Sequence, residues 1–257
     1  MAGSGQPKYI QKKLIGTGGF GYVWDGYDTK NKKNVVLKHI FDSTSDIKQE
    51  IQMLTQLQNT PGVVKFIEYF NLGTSGFIVM EKVEHVIDLF DYISKNKTIV
   101  ESTSKIIFVQ LLDILTWCKK AHVFHGDIKD ENILIDPNSL QITLIDFGSA
   151  TSWNKNYLFQ NNGTKLCSPP EWFSEHFFTA DNFTVWSLGI LLYTMLFGNI
   201  PFLSRDEIIN KQISIQNQIM SETCAIFLTK CLEKKVQKRP RFDSLKFQPW
   251  IMSTIPV

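Results

Sequence analysis

His125-Gly126-Asp127-Ile128-Lys129-Asp130-Glu131-Asn132, followed by Asp146-Phe147-Gly148, decides how this chain is read. The first run sets a carboxylate, an amine and a carboxamide close together. The second adds a carboxylate beyond a hairpin-length gap. Two short β-prone runs, residues 133–135 and 142–145, fill that gap and pair as a hairpin. Such a hairpin returns Asp146 beside Asn132, where hard oxygen ligands suit Mg²⁺. Phosphoryl transfer from a nucleotide needs this set: one group to orient a hydroxyl and two to hold magnesium. Asp127 is therefore the candidate base, Lys129 the candidate neutralising cation, and Asn132 and Asp146 the candidate metal ligands. A polar turn ahead of a strand would carry the same residue types. His125 reads as a packed structural histidine, because no second His or Cys stands at ligand spacing.

Upstream, Gly16-Thr17-Gly18-Gly19-Phe20-Gly21-Tyr22-Val23 reads two ways. It is an ordinary glycine hairpin, or a lid whose backbone N–H groups close over phosphates without a side chain in the way. A dinucleotide fold needs a helix after the glycines. Here residues 22–27 favour a strand, which argues for a hairpin lid. Lys38 ends the apolar run Val35-Val36-Leu37-Lys38 and either snorkels to solvent or has an anionic partner. Glu50 is the only glutamate between Lys38 and Glu68.

Around these motifs, residues 8 to about 82 are strand-rich, with runs at 9–14, 22–27, 35–40, 63–70 and 76–81. One helix interrupts them. Ser45 or Asp46 caps it, and Ile47, Ile51, Leu54 and Gln58 trace one face. From residue 86 the pattern is helical: a short amphipathic segment at 88–93, a long buried helix at 102–121, and helices at about 182–197, 205–212, 221–232 and 241–247. The predicted architecture is α+β, with a five-stranded lobe carrying one main helix, joined near residue 83 to a larger, mainly helical lobe.

The 257 residues are 43% hydrophobic, enough for a sizeable core. A formal net charge of +2 implies neither a nucleic-acid nor a membrane-surface role. Cys118, Cys167, Cys224 and Cys231 form no CxxC, so neither a disulfide framework nor a zinc site is suggested. Residues 1–5 lack a signal peptide's apolar core, and the apolar stretch 185–202 is broken by polar residues and ends near Gly198. The expectation is a soluble intracellular monomer, cytoplasmic or nuclear.

Assembled, these residues make the chain resemble a eukaryotic protein kinase, from about residue 9 to about residue 252. Ser168-Pro169-Pro170-Glu171, Trp186-Ser187-Leu188-Gly189, Gly198-Asn199-Ile200-Pro201-Phe202 and Arg239-Pro240 carry the likeness further. Lys129 and Gly163-Thr164 resemble the serine/threonine class. Within it the chain is similar to the PIM family, through residues 81–86, 88–93, 127–132, 144–149 and Ser168-Pro169-Pro170-Glu171-Trp172.

The resemblance implies a disordered stretch at 1–8 and a kinase domain at 9–253, with an N-lobe at about 9–82, a hinge at about 81–86 and a C-lobe at about 87–253. It implies ATP and Mg²⁺ as cofactors. Gly16, Gly18, Gly21, Val23, Val36, Lys38, Met80, Glu81, Val83, Asp88 and Leu134 would bind the nucleotide, with Val23, Val36 and Leu134 around the adenine, Met80 as gatekeeper, and Glu81 and Val83 as hinge contacts. Lys38 would be held by Glu50, and Thr164 would bridge Asp127 and Lys129. Glu171 and Arg239 would form a buried ion pair. Leu54, Phe147, His125 and Ile67 would form an internal spine.

The chain departs from the family pattern at four places. Gly126 replaces an arginine that normally grips an activation-loop phosphate. Thr184 stands where an Asp anchors backbone, Val83 where PIM kinases carry proline, and Lys38 and Glu50 are unusually close in sequence. The implied function is an ATP-dependent protein serine/threonine kinase active without activation-loop phosphorylation, although Ser149, Thr151, Ser152 and Tyr157 offer hydroxyls for it. Its protein substrates would carry basic residues N-terminal to the acceptor, mildly preferred and read by Asp88, Asp91, Glu131, Asp206 and Glu207. The rival is a pseudokinase scaffold without turnover. The intact Lys38, Asp127, Asn132 and Asp146 weigh against it.

Overall fold

The structure is a computed structural model and describes residues 7–18, 21–41, 44–153, 163–213, 215 and 219–253. It divides into two compact units: residues 1–59 with 63–85, and residues 60–62 with 86–257.

The first unit is built on a five-stranded antiparallel sheet. In chain order its elements are β1 (Tyr9–Gly18), β2 (Gly21–Asp28), β3 (Lys33–Phe41), helix α1 (Thr44–Gln56), β4 (Phe66–Asn71) and β5 (Ser75–Glu81). The spatial order is β1-β2-β3-β5-β4. Alternation along β3 sorts its side chains onto two faces. Val35 and Leu37 join Val79 in a core against Tyr9, Trp24, Phe70 and Phe77. The intervening Val36 and Lys38 take the other face. Directly opposed residues share a face, so the register pairs Val23↔Lys38, Lys38↔Ile78 and Val36↔Met80 put five of these side chains on one surface. Residues 1–6 lie outside the described residues, while the carbonyls of Pro7 and Lys8 accept hydrogen bonds from Thr29.

Two sequence expectations need correcting here. The inward face of α1 is Ile47, Glu50, Met53 and Leu54, continued by Leu57 just beyond the helix; Ile51 is half-buried and Gln58 exposed. Glu50 reaches the inward face because Lys38 pairs with it, which an apolar-stripe criterion cannot anticipate. Ile67 is 43% exposed and so is no member of an interior spine. The β4–β5 register jumps between Phe66 and Glu68, and Ile67 is the residue left over at that bulge.

The second unit begins with β6 (Ile87–Asp88), α2 (Leu89–Asn96), α3 (Glu101–Lys120), β7 (Val123–Phe124), β8 (Ile133–Ile135), β9 (Ile142–Leu144) and β10 (Thr151–Ser152). It continues with α4 (Pro170–Glu175), α5 (Ala180–Phe197), α6 (Arg205–Asn210), α7 (Glu222–Cys231) and α8 (Pro249–Met252). The β8–β9 hairpin carries β6 as a third strand, and β7 pairs with β10. The region 241–247 is 3₁₀ rather than α-helical, over Phe242–Phe247.

Helix α5 is the core of this unit, buried from Phe183 through Leu192. Thr179 caps it by accepting the Asn182 N–H at 3.2 Å. Gly198 ends it at φ 73°, in the left-handed region that glycine occupies without penalty. Beside it, Arg239 and Glu171 form a two-pronged pair, Nη1–Oε1 2.7 Å and Nη2–Oε2 2.9 Å, with side chains 0% and 6% exposed. Arg239 also donates to the carbonyls of Asn182 and Glu233 and lies 5.0 Å from the Trp186 ring. All four cysteines are free and buried. Among the described residues, no helix is long and apolar enough to cross a membrane.

Candidate active site

The loop between β7 and β8 is tied down atom by atom. The His125 ring donates from Nε2 to the Ile145 carbonyl (2.9 Å), and its Nδ1 accepts the Asp127 N–H (3.2 Å). These partners set the tautomer. The ring packs on Phe147 with centroids 4.7 Å apart. His125 thus fixes the loop backbone to the segment that carries Asp146. The register Ile133↔Leu144 and the hydrogen bond from Ile145 N–H to the Asn132 carbonyl (3.0 Å) bring Asn132 and Asp146 to the same end of the hairpin.

Asp127 is the hub. Its Oδ1 accepts the Thr164 N–H at 2.8 Å and its Oδ2 accepts from Asn132 Nδ2 at 3.1 Å. Lys129 Nζ stands 3.5 Å from Oδ2, donates to Thr164 Oγ1 at 3.1 Å, and pairs with Glu131 at 2.6 Å. Thr164 therefore bridges the two, its N–H on the carboxylate and its hydroxyl on the amine. Burial disfavours the Lys129 charge, but the carboxylates of Glu131 and Asp127 outweigh it and hold the amine above the ordinary lysine value. Burial, then Glu131, raises the Asp130 carboxyl above its usual range. Burial, helped by the Asp127 and Asp130 charges, pushes the Cys167 thiol up to about 12, which makes it a packing residue and not a nucleophile.

Asn132 Nδ2 also donates to the Asp127 carbonyl (2.8 Å). With the amide nitrogen committed on that side, the carboxamide oxygen is turned the other way, as a ligand atom must be. Asp146 sits at φ 57°, and its Oδ1 accepts the Gly148 N–H at 3.3 Å. One neutral and one anionic oxygen donor fit Mg²⁺, which takes one or two side-chain ligands and completes its shell with phosphate and water. The described residues hold no cluster of three His, Cys, Asp or Glu that would suit an all-protein metal cage.

In the first unit Lys38 Nζ donates to both Glu50 oxygens, at 2.7 and 2.9 Å, with the two side chains 6% and 3% exposed. β3 ends at Phe41 and α1 starts at Thr44, so the short link does not prevent the pairing. Met80 is buried, while Val23, Val36 and Val83 are half-buried and Glu81 is exposed. Gly16 pairs with Val23, and Gly18 with Gly21; Gly19 and Phe20 of the same motif lie outside the described residues. In the second unit Leu134 is half-buried on β8. Asp88 caps α2 by accepting the Asp91 N–H at 2.6 Å, and burial raises its carboxyl.

Sequence reasoning gave His125 no catalytic part. Its positioning role depends on two ring contacts, one of them to a residue twenty positions away. Thr184 donates to its own helix at Ala180 (2.7 Å), so its hydroxyl is spent locally. Gly126 has φ 82°, and a Cβ there would lie 2.6 Å from the Ser149 carbonyl oxygen. Gly126→Ala is therefore expected to lose about 1–3 kcal/mol of stability, read by thermal or chemical unfolding. An unchanged unfolding midpoint would show that the loop relaxes freely. Of the activation-loop hydroxyls, Ser149 is buried, Thr151 and Ser152 are half-buried in β10, and Tyr157 lies outside the described residues.

The family model of the protein kinase domain matches residues 9–251. The chain belongs to the protein kinase family, in its serine/threonine class. It is PIM-like: serine/threonine-protein kinase pim-2 of Danio rerio is 32% identical over 97% of this chain and 86% of its own length. Serine/threonine-protein kinase prk-2 of Caenorhabditis elegans is 31% identical over 95% of this chain and 58% of its own. Serine/threonine-protein kinase 1 of African swine fever virus is 34% identical over 78% of this chain and 67% of its own. The five-stranded antiparallel sheet and the mostly helical remainder fit the kinase fold. The family uses ATP and typically Mg²⁺, and acts on proteins.

Proposed function

We propose that this chain transfers the γ-phosphoryl group of ATP to serine or threonine of protein substrates without needing a phosphate on its own activation loop. The observation that carries the reading is the hub at Asp127. Oδ1 is held by Thr164 and Oδ2 by Asn132, so the carboxylate is aimed before a substrate arrives. In this reading Asp127 accepts the hydroxyl proton as oxygen attacks phosphorus. Lys129 offsets charge on the transferring group, and Thr164 keeps the two in register. Lys38, oriented by Glu50, binds the α- and β-phosphates. Gly16, Gly18 and Gly21 form the lid. Val23, Val36 and Leu134 line the adenine, Met80 limits its depth, the Glu81 carbonyl and Val83 N–H meet its edge, and Asp88 completes the nucleotide contacts. Asn132 and Asp146 would hold Mg²⁺, which neutralises phosphate charge when bound. Positioning and electrostatics then supply most of the acceleration.

Independence from loop phosphorylation rests on Gly126. A phosphate clamp needs a guanidinium, and this position has no side chain and no room for one. The mild preference for basic residues N-terminal to the acceptor rests on the acids proposed to read them. Asp88, Glu131, Asp206 and Glu207 already serve Asp91, Lys129, Asn210 and Lys211 respectively. A substrate arginine must compete with those contacts.

Transfer of labelled phosphate from ATP to serine peptides, with and without arginines ahead of the acceptor, tests the reading. Phosphatase-treated enzyme is expected to keep most of its rate, and arginine to raise the rate a few-fold. No transfer to any peptide would leave the scaffold reading standing. A tenfold loss on phosphatase treatment would refute phosphate independence.

A further inference from the structure

Immediately after Thr164 the second unit opens into a groove of about 520 Å³, lined by Lys165, Leu166, Trp172, Phe173, His176 and Arg205. Its chemistry is lopsided. A lysine, an arginine and a histidine surround an aromatic and aliphatic floor, and no acidic side chain lines it. Arg205 is held in place from one side only. Its Nη2 donates to the Phe173 carbonyl at 2.9 Å, and its guanidinium lies 5.7 Å from the Phe173 ring. Its Nε and Nη1, like Lys165 Nζ, have no hydrogen-bond or ion-pair partner among the described residues.

Neither acid beside Arg205 on α6 forms an ion pair with it among the described residues. The Glu207 carboxylate accepts the Leu203 N–H (2.9 Å) and pairs with Lys211 (3.2 Å), and Asp206 accepts from Asn210 (2.8 Å). His176 caps α4 in the left-handed region at φ 58°, with its ring edge-on to Trp172. The groove also adjoins the acceptor site by covalent connection: Lys165 follows the residue whose N–H is bonded to Asp127.

We infer that this groove is a specificity site for an anionic side chain of the protein substrate, carboxylate or phosphoryl, with an apolar neighbour seated on Trp172 and Phe173. Charge complementarity selects that occupant: an Arg205 guanidinium anchored on Phe173 and without an ion-pair partner among the described residues, with Lys165 beside it, favours an anion, and a substrate lysine there would meet like charge. The inference rests on the proposed kinase reading and extends it. The enzyme would read basic residues on one part of a substrate and an acidic or already phosphorylated residue on another.

The test walks a single glutamate, and in a parallel series a single phosphoserine, through every position on both sides of the acceptor serine in one peptide. One position is expected to gain about fivefold in kcat/KM. A gain with glutamate identifies a carboxylate reader; a gain with phosphoserine alone identifies a reader of primed substrates. Arg205→Glu should reverse the preference at that position toward lysine. Arg205→Gln, which keeps a donor for the Phe173 carbonyl, should abolish the preference without reversing it. A flat profile in both series overturns the inference, and so does a preference untouched by either variant. If no peptide is phosphorylated at all, the kinase reading falls on its own. Fluorescence anisotropy then decides the groove: tighter binding of the labelled phosphoserine peptide than of its serine twin, lost in Arg205→Glu, sustains the groove, and equal binding sinks it.

Discussion

Asp127→Asn is expected to cut the turnover number about 10³-fold while nucleotide affinity changes little. The substitution is nearly isosteric. The remaining carbonyl oxygen can still accept the Thr164 N–H, now at 2.8 Å from Oδ1. The other position becomes an NH₂ that faces Asn132 Nδ2 and Lys129 Nζ, where Oδ2 now stands at 3.1 and 3.5 Å. An acceptor for the substrate proton is thereby replaced by a donor. Lys38 and Glu50 belong to a different unit and make their own pair, so the proposed phosphate contact is untouched. Single-turnover transfer and nucleotide titration separate the two effects. A variant that keeps its turnover would strip Asp127 of its role. One that loses nucleotide affinity and turnover together would make it a structural residue.

The second large effect is on stability. Glu171→Ala is expected to cost about 3–5 kcal/mol, because it leaves the Arg239 guanidinium buried without its counter-charge. For a chain of this size that corresponds to a fall in Tm of roughly 6–20 °C. The carbonyls of Asn182 and Glu233 still solvate part of the guanidinium, which keeps the loss below the cost of a bare buried charge. Replacing both partners by apolar residues should cost less than the sum of the two single changes, since no ion is then stranded. Scanning calorimetry on the two single variants and the double variant makes the comparison. A single variant within about 2 °C of wild type would mean that water reaches the pair.

The elements that carry chemistry were legible because their signals are local or have simple periodicity. The β8–β9 hairpin follows from apolar runs on either side of a turn, and it carries Asp146 back to Asn132 by register alone. The long helices follow from their apolar content, though Ile106 and Trp117 on α3 are 37% and 49% exposed. Contacts without a sequence signature were not legible. Helix α4 begins at Pro170 and is only 6 residues long, too short for a periodic stripe. Strands β6, β7 and β10 have 2 residues each and exist only through partners elsewhere in the chain. The family resemblance places Ile67 in an internal spine, but one extra residue at a bulge turns it outward. The cationic groove has lining residues scattered from Lys165 to Arg205, and no motif links them.

The division of the chain has a practical corollary for anyone wishing to bisect it. Residues 60–62 precede β4 in sequence yet cluster with the second unit, where the Gly62 carbonyl accepts the buried Leu144 N–H at 2.7 Å. A fragment beginning at Val86 would lack that acceptor and leave an amide without its mate in a dry setting, at a cost of about 1–3 kcal/mol. Split-protein complementation at residue 85 should therefore yield a frail C-terminal half, and adding a short peptide spanning Thr60–Gly62 in trans should partly mend it.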